Sequence, residues 1–398
     1  MKLSTSGAGS TGPFRQGTVR RVSCFLLPLV FCLAFPLNDG FGRTSSGAMQ
    51  QGGTNSGEPQ SVGEAAPSRE ATIPFVDLHV DLSYQFNYCD KSFEEGTGQF
   101  AVRNLVGAGV AGVVLPLFVP ATVSKHGATR EALEQSYEHV LARLRQSDVF
   151  LLPGANAEAG RVRTWLAFEG SAPVAEDLEQ IPIWVARGLR VFGLVHVKNN
   201  SLAASATDPH GRSLGLTRLG KDFVTRVHRE GGLIDVSHAS NRTVLDVATL
   251  ARRDGVAMLA THSNARAVHL HPRNLSDEAL DAIASTGGIV GINFHSPFLR
   301  AKGRASIADV IEHIRYVAAR IGVEHVALGS DFEGGIVPAQ GLESVERVHA
   351  LALAMREAGF GADAISAIFG GNALRVLASK RFPSGSGDAK KGVPKASP

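Results

Sequence analysis

Residues 232–263 read GLIDVSHASNRTVLDVATLARRDGVAMLATHS. The stretch opens and closes on short apolar runs, and between them the apolar positions recur at the three- and four-residue spacing of a helix. A strand that is apolar on both faces must be covered on both sides, so strand, helix and strand in this order imply two parallel strands joined by a crossover helix.

The same unit recurs from Ala71 to about Leu377. IPFVDLH, AGVVLPLFV, WLAFEG, VFGLVHV, GLIDVSH, VAMLATHS, GIVGINFH and HVALGSDF make eight candidate strands. Amphipathic stretches such as TREALEQSYEHVLARLRQ, LTRLGKDFVTRVHREG and SIADVIEHIRYVAARIG separate most of them. Eight such units in about 300 residues predict an α/β fold of the (β/α)8 TIM-barrel type rather than an open doubly wound sheet. The rival dinucleotide fold is further weakened because no Gly-x-Gly-x-x-Gly follows the first strand.

Composition sets the outer bounds. The chain has 398 residues, 44% hydrophobic and 19% charged, enough for a large globular core. The net charge is only +3 and the basic residues are scattered, which argues against nucleic acid as a partner. Arg15, Arg20 and Arg21 precede the apolar run Val22–Leu37, so residues 1–45 read as an export signal, with a short retained anchor as the alternative. Gly, Ser, Gln, Glu and Pro dominate residues 46–71, read as a flexible spacer, and residues 379–398 read as a flexible basic tail. The folded domain is therefore expected over residues 72–378. Cys24 and Cys32 lie in the export segment, which would leave Cys89 alone after cleavage.

His79, Glu169, His196, His238, His262, His295 and Asp331 all stand at the carboxyl ends of expected strands. In a closed parallel barrel those ends share one face, where active sites of this fold are built. Any one of these residues alone would read as a solvated strand end or a satisfied core histidine; their convergence points to one site. Imidazole and carboxylate without thiolate suit zinc or another borderline divalent ion. Five or six such groups exceed the needs of one catalytic ion and fit two, with a glutamate between them and a hydroxide held there as nucleophile for hydrolysis.

The ordered motifs VDLHVDL, FEG, LVHVKNN, GLIDVSH, THSNARAVHLHPRNLSDEALDAIASTGGIVGINF, HVALGSDFEGG and FGGNALRVL resemble the membrane dipeptidase (renal dipeptidase) family of the amidohydrolase superfamily, over Pro74 to Leu377. The resemblance implies that His79 and Asp81 bind one zinc, that His238 and His262 bind the other, and that Glu169 bridges both. It implies His196 beside the substrate carbonyl, Arg273 on the terminal carboxylate, and Asp331 managing protons at the attacking water and the leaving amine. The implied substrates are small dipeptides, with a D-residue at the second position left open, and the implied assembly is a homodimer. A guanidinium suits the carboxylate role independently, since it pairs with a carboxylate bidentately.

Three positions depart from the family pattern: Ser171-Ala172 after Glu169-Gly170, Leu202 where an aromatic residue is common, and His295 where tyrosine is common. They are expected at the rim, which leaves side-chain preference open. Two other readings remain: a two-metal hydrolase of another small amide, lactone or ester, and a non-catalytic binding protein on the same barrel. An export signal, a spacer and a nearly cysteine-free domain place the protein in a bacterial periplasm or at the cell surface, with membrane attachment through the N-terminal segment as a variant of that expectation.

Overall fold

Each of the eight apolar runs forms a strand, and the computed structural model, described for residues 73–89, 98–120, 129–211 and 213–379, closes them into a barrel. The strands are β1 (Phe75–Asp77), β2 (Val110–Leu117), β3 (Arg163–Glu169), β4 (Leu189–Gly193), β5 (Leu233–Asp235), β6 (Leu259–Ala260), β7 (Ile289–Ile292) and β8 (Val326–Leu328). All neighbours pair in parallel in sequence order, and Asp77 opposite Leu328 joins β1 to β8. The export segment, the spacer and the basic tail inferred from sequence lie outside the described residues. Among the described residues, no helix is long and apolar enough to cross a membrane.

Helices follow every strand: α1 (Leu82–Tyr88), α2 (Arg130–Gln146), α3 (Gln180–Ala186), α4 (Arg218–Arg229), α5 (Asn241–Asp254), α6 (Asp277–Ala284), α7 (Ile307–Ile321) and α8 (Val348–Glu357). Five of the eight start at a hydroxyl residue. Thr129, Thr217, Ser240 and Ser276 each accept a backbone N–H from the first turn, at 3.2, 2.9, 3.1 and 3.2 Å. Such caps contribute about 1 kcal/mol each. Gly255 ends α5 in the left-handed region at φ 66°, where glycine costs least.

Two apolar layers follow from strand alternation. Inside the barrel, Val76, Leu78, Val114, Ala167, Val191, Leu233, Leu259, Ile289 and Ala327 pack together, and Ala373, Val376 and Leu377 plug the amino-terminal end. Outside it, the larger cluster lies between sheet and helices, with Trp184 edge-on to Phe168 and Tyr137 at ring separations of 5.0 and 5.3 Å. With that end sealed by apolar residues, the opposite mouth is where polar side chains collect.

Candidate metal centre and substrate pocket

The barrel brings all nine residues singled out from sequence to one mouth, His295 at its rim. A strictly alternating β1 that turns Val76 and Leu78 inward would turn His79 outward. Instead Asp77 Oδ1 accepts the N–H of His79, two residues on, at 3.1 Å, and the N–H of Ser330 at 2.9 Å, which turns the chain and ties β1 to β8. Asp235 repeats the device at the end of β5, accepting from Ser237 and Thr261 at 2.9 Å each. Asn293 does so beyond β7, accepting from His295 at 2.6 Å.

Glu169 Oε1 is the focus. It lies 3.1 Å from His238 Nε2, 3.6 Å from His79 Nε2, 3.7 Å from His196 Nε2 and 3.9 Å from His262 Nε2. His79 Nε2 is also 3.7 Å from Asp81 Oδ2, and the Nε2 atoms of His238 and His262 are 2.9 Å apart. Three overlapping groups have ligand atoms mutually within 4.8 Å: His79, Asp81 and Glu169; Glu169, His238 and His262; His79, His262 and Asp331. The first two are the sets expected from sequence, with Glu169 common to both.

These contacts are not ion pairs. Burial first, and then the Arg273 guanidinium, hold His79 down at about 3; the same two keep His238 well below the usual imidazole range, and burial followed by the neighbouring His79 does so for His262. Burial and the neighbouring Asp331 push Glu169 up to about 8, and burial with Glu169 raises Asp81 well above the carboxylate range. The pocket thus crowds neutral imidazoles and costly carboxylates around one point, and His79 Nε2 has no hydrogen-bond partner. Neutral imidazole and ionised carboxylate are the forms that ligate, and a divalent cation reverses the repulsion that raises the carboxylates. The residues present fit a metal centre.

Around it stand three further groups. Arg273 is 5% exposed; its NH2 donates to the His262 carbonyl at 3.1 Å, its Cζ lies 5.5 Å from the Phe298 ring centroid, and its Nε is unpartnered. No ion pair holds it among the described residues. His196 is seated between Phe118 and His238, with ring separations of 4.7 and 4.4 Å. Asp331 Oδ2 accepts from Asn293 Nδ2 at 2.9 Å, and burial pushes Asp331 up to about 6 against that bond and Arg273. His238, Asp331 and Glu333 are the non-glycine residues in the left-handed region among the described residues, at φ 66°, 67° and 69°. Two of the three belong to the site, where backbone strain commonly concentrates.

Sequence reasoning missed the supports Asp77, Asp235 and Asn293. Their signal was an aspartate or asparagine two residues before a site or near-site residue, as in VDLH, IDVSH and NFH. Of the three departures expected at the rim, only His295 is there, its Nδ1 accepting from Val337 N–H at 3.0 Å. Ser171 and Leu202 are fully buried, Ser171 donating to the Gly193 carbonyl at 2.8 Å and Leu202 packing in the outer core. The loops bearing them fold back onto the barrel wall, which sequence spacing did not reveal.

A model of the membrane dipeptidase family, peptidase family M19, matches residues 68–384. Dipeptidase tcpJ of Claviceps purpurea is 32% identical over 221 residues, 55% of this chain and 51% of that protein, so the match spans about half the length of this relative. Dipeptidase verJ of Clonostachys rogersoniana is 27% identical over 336 residues, 78% of this chain and 84% of that protein. Among solved structures, a metallopeptidase of Rhodobacter sphaeroides liganded with a phosphinate mimic of the dipeptide L-Ala-D-Ala superposes with a TM-score of 0.68 and 25% identity, covering 77% of this chain and 99% of that one. A further family M19 metallopeptidase, dipeptidase AC, gives 0.69 and 26%, covering 77% and 98%.

Proposed function

The chain belongs to the membrane dipeptidase family, peptidase family M19, and from that membership we propose that it is an exported, metal-dependent dipeptidase that cuts the single peptide bond of small dipeptides. The observation that carries the substrate class is Arg273: a buried guanidinium with an unpartnered Nε and no ion pair among the described residues, beside a cluster of groups that could ligate metal. A buried cation without a direct ion pair is costly even with Asp331, Glu169 and Asp235 in its field, and a substrate carboxylate in contact with it offsets that cost. A dipeptide carries that carboxylate one residue from its scissile bond.

Two zinc ions are the proposed cofactor, one held by His79 and Asp81, the other by His238 and His262, with Glu169 shared between them. When bound, the ions supply Lewis acidity toward the carbonyl and a hydroxide nucleophile at neutral pH. Arg273 fixes the substrate's terminal carboxylate and so sets which amide enters. His196, placed by Phe118 and His238, donates its ring N–H to the oxyanion as charge develops. Asp331, oriented by Asn293, takes the proton of the attacking water and returns it to the departing amine. The phosphinate mimic of L-Ala-D-Ala bound to the Rhodobacter relative supports including a D-residue at the second position. Export rests on the N-terminal sequence pattern, with residues 72–378 as the folded domain.

The deciding experiment is elemental analysis of the purified domain, paired with hydrolysis of L,L- and L,D-dipeptides before and after chelation. Two zinc ions per chain and chelator-sensitive cleavage that is lost in Arg273→Ala support the reading. Two ions without dipeptide cleavage would move the substrate to another small amide, lactone or ester; no metal would overturn the ligand assignment.

A further inference from the structure

One hydroxyl stands between the two metal-ligating groups. Thr261 Oγ1 lies 2.6 Å from Asp235 Oδ2, 2.9 Å from His262 Nδ1 and 3.4 Å from His79 Nδ1. A threonine hydroxyl has one proton to give and two lone pairs to accept with. Asp235 takes the proton, because its carboxylate is acting as an acceptor throughout: Oδ1 receives the N–H groups of Ser237 and Thr261. With its own proton on Asp235, the oxygen can only accept from the ring nitrogens it meets, so each ring in contact with it carries its proton on Nδ1. The two Nε2 atoms are left deprotonated and turned into the pocket, where His79 Nε2 has no partner and His262 Nε2 meets His238 Nε2.

The surroundings hold this hydroxyl in place. Ser237 Oγ, 3.3 Å from Thr261 Oγ1, accepts the backbone N–H of His262 at 3.0 Å. A Cβ at either Gly291 or Gly329 would collide with the Thr261 carbonyl oxygen, so the glycines of β7 and of the turn after β8 let this residue sit deep in the wall. The rings of His79 and His262 lie against each other with centroids 3.7 Å apart, as two rings anchored to one point must. His238 Nδ1, by contrast, is unpartnered.

We propose that Thr261, held by Asp235, is a positioning residue shared by both metal pairs: one hydroxyl fixes the tautomer and orientation of His79 in the first pair and of His262 in the second. The inference rests on the metal reading above and adds that the two sites share one mechanical and protonic support. Loss of that support therefore weakens both sites together, whereas loss of a single ligand weakens its own site first.

The test is titration of metal-stripped protein with Zn2+ against a chromophoric chelator, repeated with Co2+ to follow the absorption of the bound ions. Wild type takes up two ions. Thr261→Val, which keeps the shape and removes the hydroxyl, should weaken both by ~10–100-fold, the usual effect of losing an outer partner of a ligand. Thr261→Ser, which restores the hydroxyl, should bind close to wild type and recover the Co2+ spectrum. Asp235→Asn, which sets an amide donor against the Thr261 oxygen, should behave like Thr261→Val. Two ions bound by Thr261→Val as tightly as by wild type, or Thr261→Ser as weak as Thr261→Val, would overturn the proposal while leaving the metal reading intact. A wild type that binds no ion overturns both. Thermal unfolding of the metal-free forms reports whether each variant folds; if Thr261→Val does not, the Asp235→Asn titration decides.

Discussion

The Nε2 atoms of His238 and His262 face each other at 2.9 Å, and Glu169 Oε1 lies 3.1 Å from the first of them. Burial keeps both imidazoles unprotonated, so at most one ring proton can lie between them. A cation shared with Glu169 satisfies both lone pairs and the carboxylate at once. Metal should accordingly stabilise the fold: at a free concentration 100 times the dissociation constant, each site adds about 2.7 kcal/mol. Chelation is expected to lower the melting temperature by several degrees and zinc to restore it, with His262→Ala recovering only part of the shift. Identical melting curves with and without chelator would contradict the metal assignment.

Arg273→Met keeps the stem and removes the charge. Losing a charge-assisted pair with the substrate should reduce kcat/KM by ~10–100-fold, chiefly through KM. The sharper reading compares a dipeptide with its C-terminal amide. Wild type should discriminate strongly between them and the variant hardly at all; a variant that keeps the wild-type preference would place the carboxylate elsewhere.

Asp331→Asn retains the size of a side chain held by Asn293 and removes its capacity to move a proton. Loss of general acid–base function should lower kcat by ~10²–10⁴-fold. KM and zinc content, measured on the same preparation, should change little. Retention of near wild-type kcat would assign proton transfer to another group.

His313 gives a pH prediction away from the centre. Fully buried on α7, it accepts the Ala265 N–H at Nδ1 (3.1 Å) and its Nε2 lies 3.2 Å from the Leu299 carbonyl, bracing the loop after His262. Burial pulls it down to about 4 from 6.5, so between those values the unfolded chain binds the proton and the folded chain does not. Its stabilisation is present above pH 6.5 and is lost as pH falls toward 4, about 2 kcal/mol of it by pH 5. Denaturant unfolding at pH 7 and pH 5 should therefore lose less stability in His313→Asn than in wild type; equal losses would mean that His313 titrates normally in the folded state.

Much of this architecture was legible in the chain. All eight apolar runs became strands, and the stretch Ser240–Gly255 became α5 with Ser240 as its cap, because strand and helix periodicity are local properties that a window of a few residues contains. The candidate metal-ligating residues could be picked out as well, since each stands at or just beyond the end of its own run and the barrel brings them together. The seating of Ser171 and Leu202 was not legible: both looked like rim positions from their distance to Glu169 and His196, and both are buried because their loops fold back onto the wall.

The sequence by itself determined the alternation of strand and helix, the collection of histidine and carboxylate at strand ends, and with them the fold and the kind of chemistry. Only the tertiary structure decided how those groups meet. His79 and Thr261 are 182 residues apart in sequence yet share a hydroxyl contact, and Asp77 reaches Ser330 across 253 residues. Closure of the barrel creates such contacts, along the seam and across the mouth, and no local pattern encodes them, because the periodicity that specifies a strand says which side it buries and nothing about which distant side chain it will meet there.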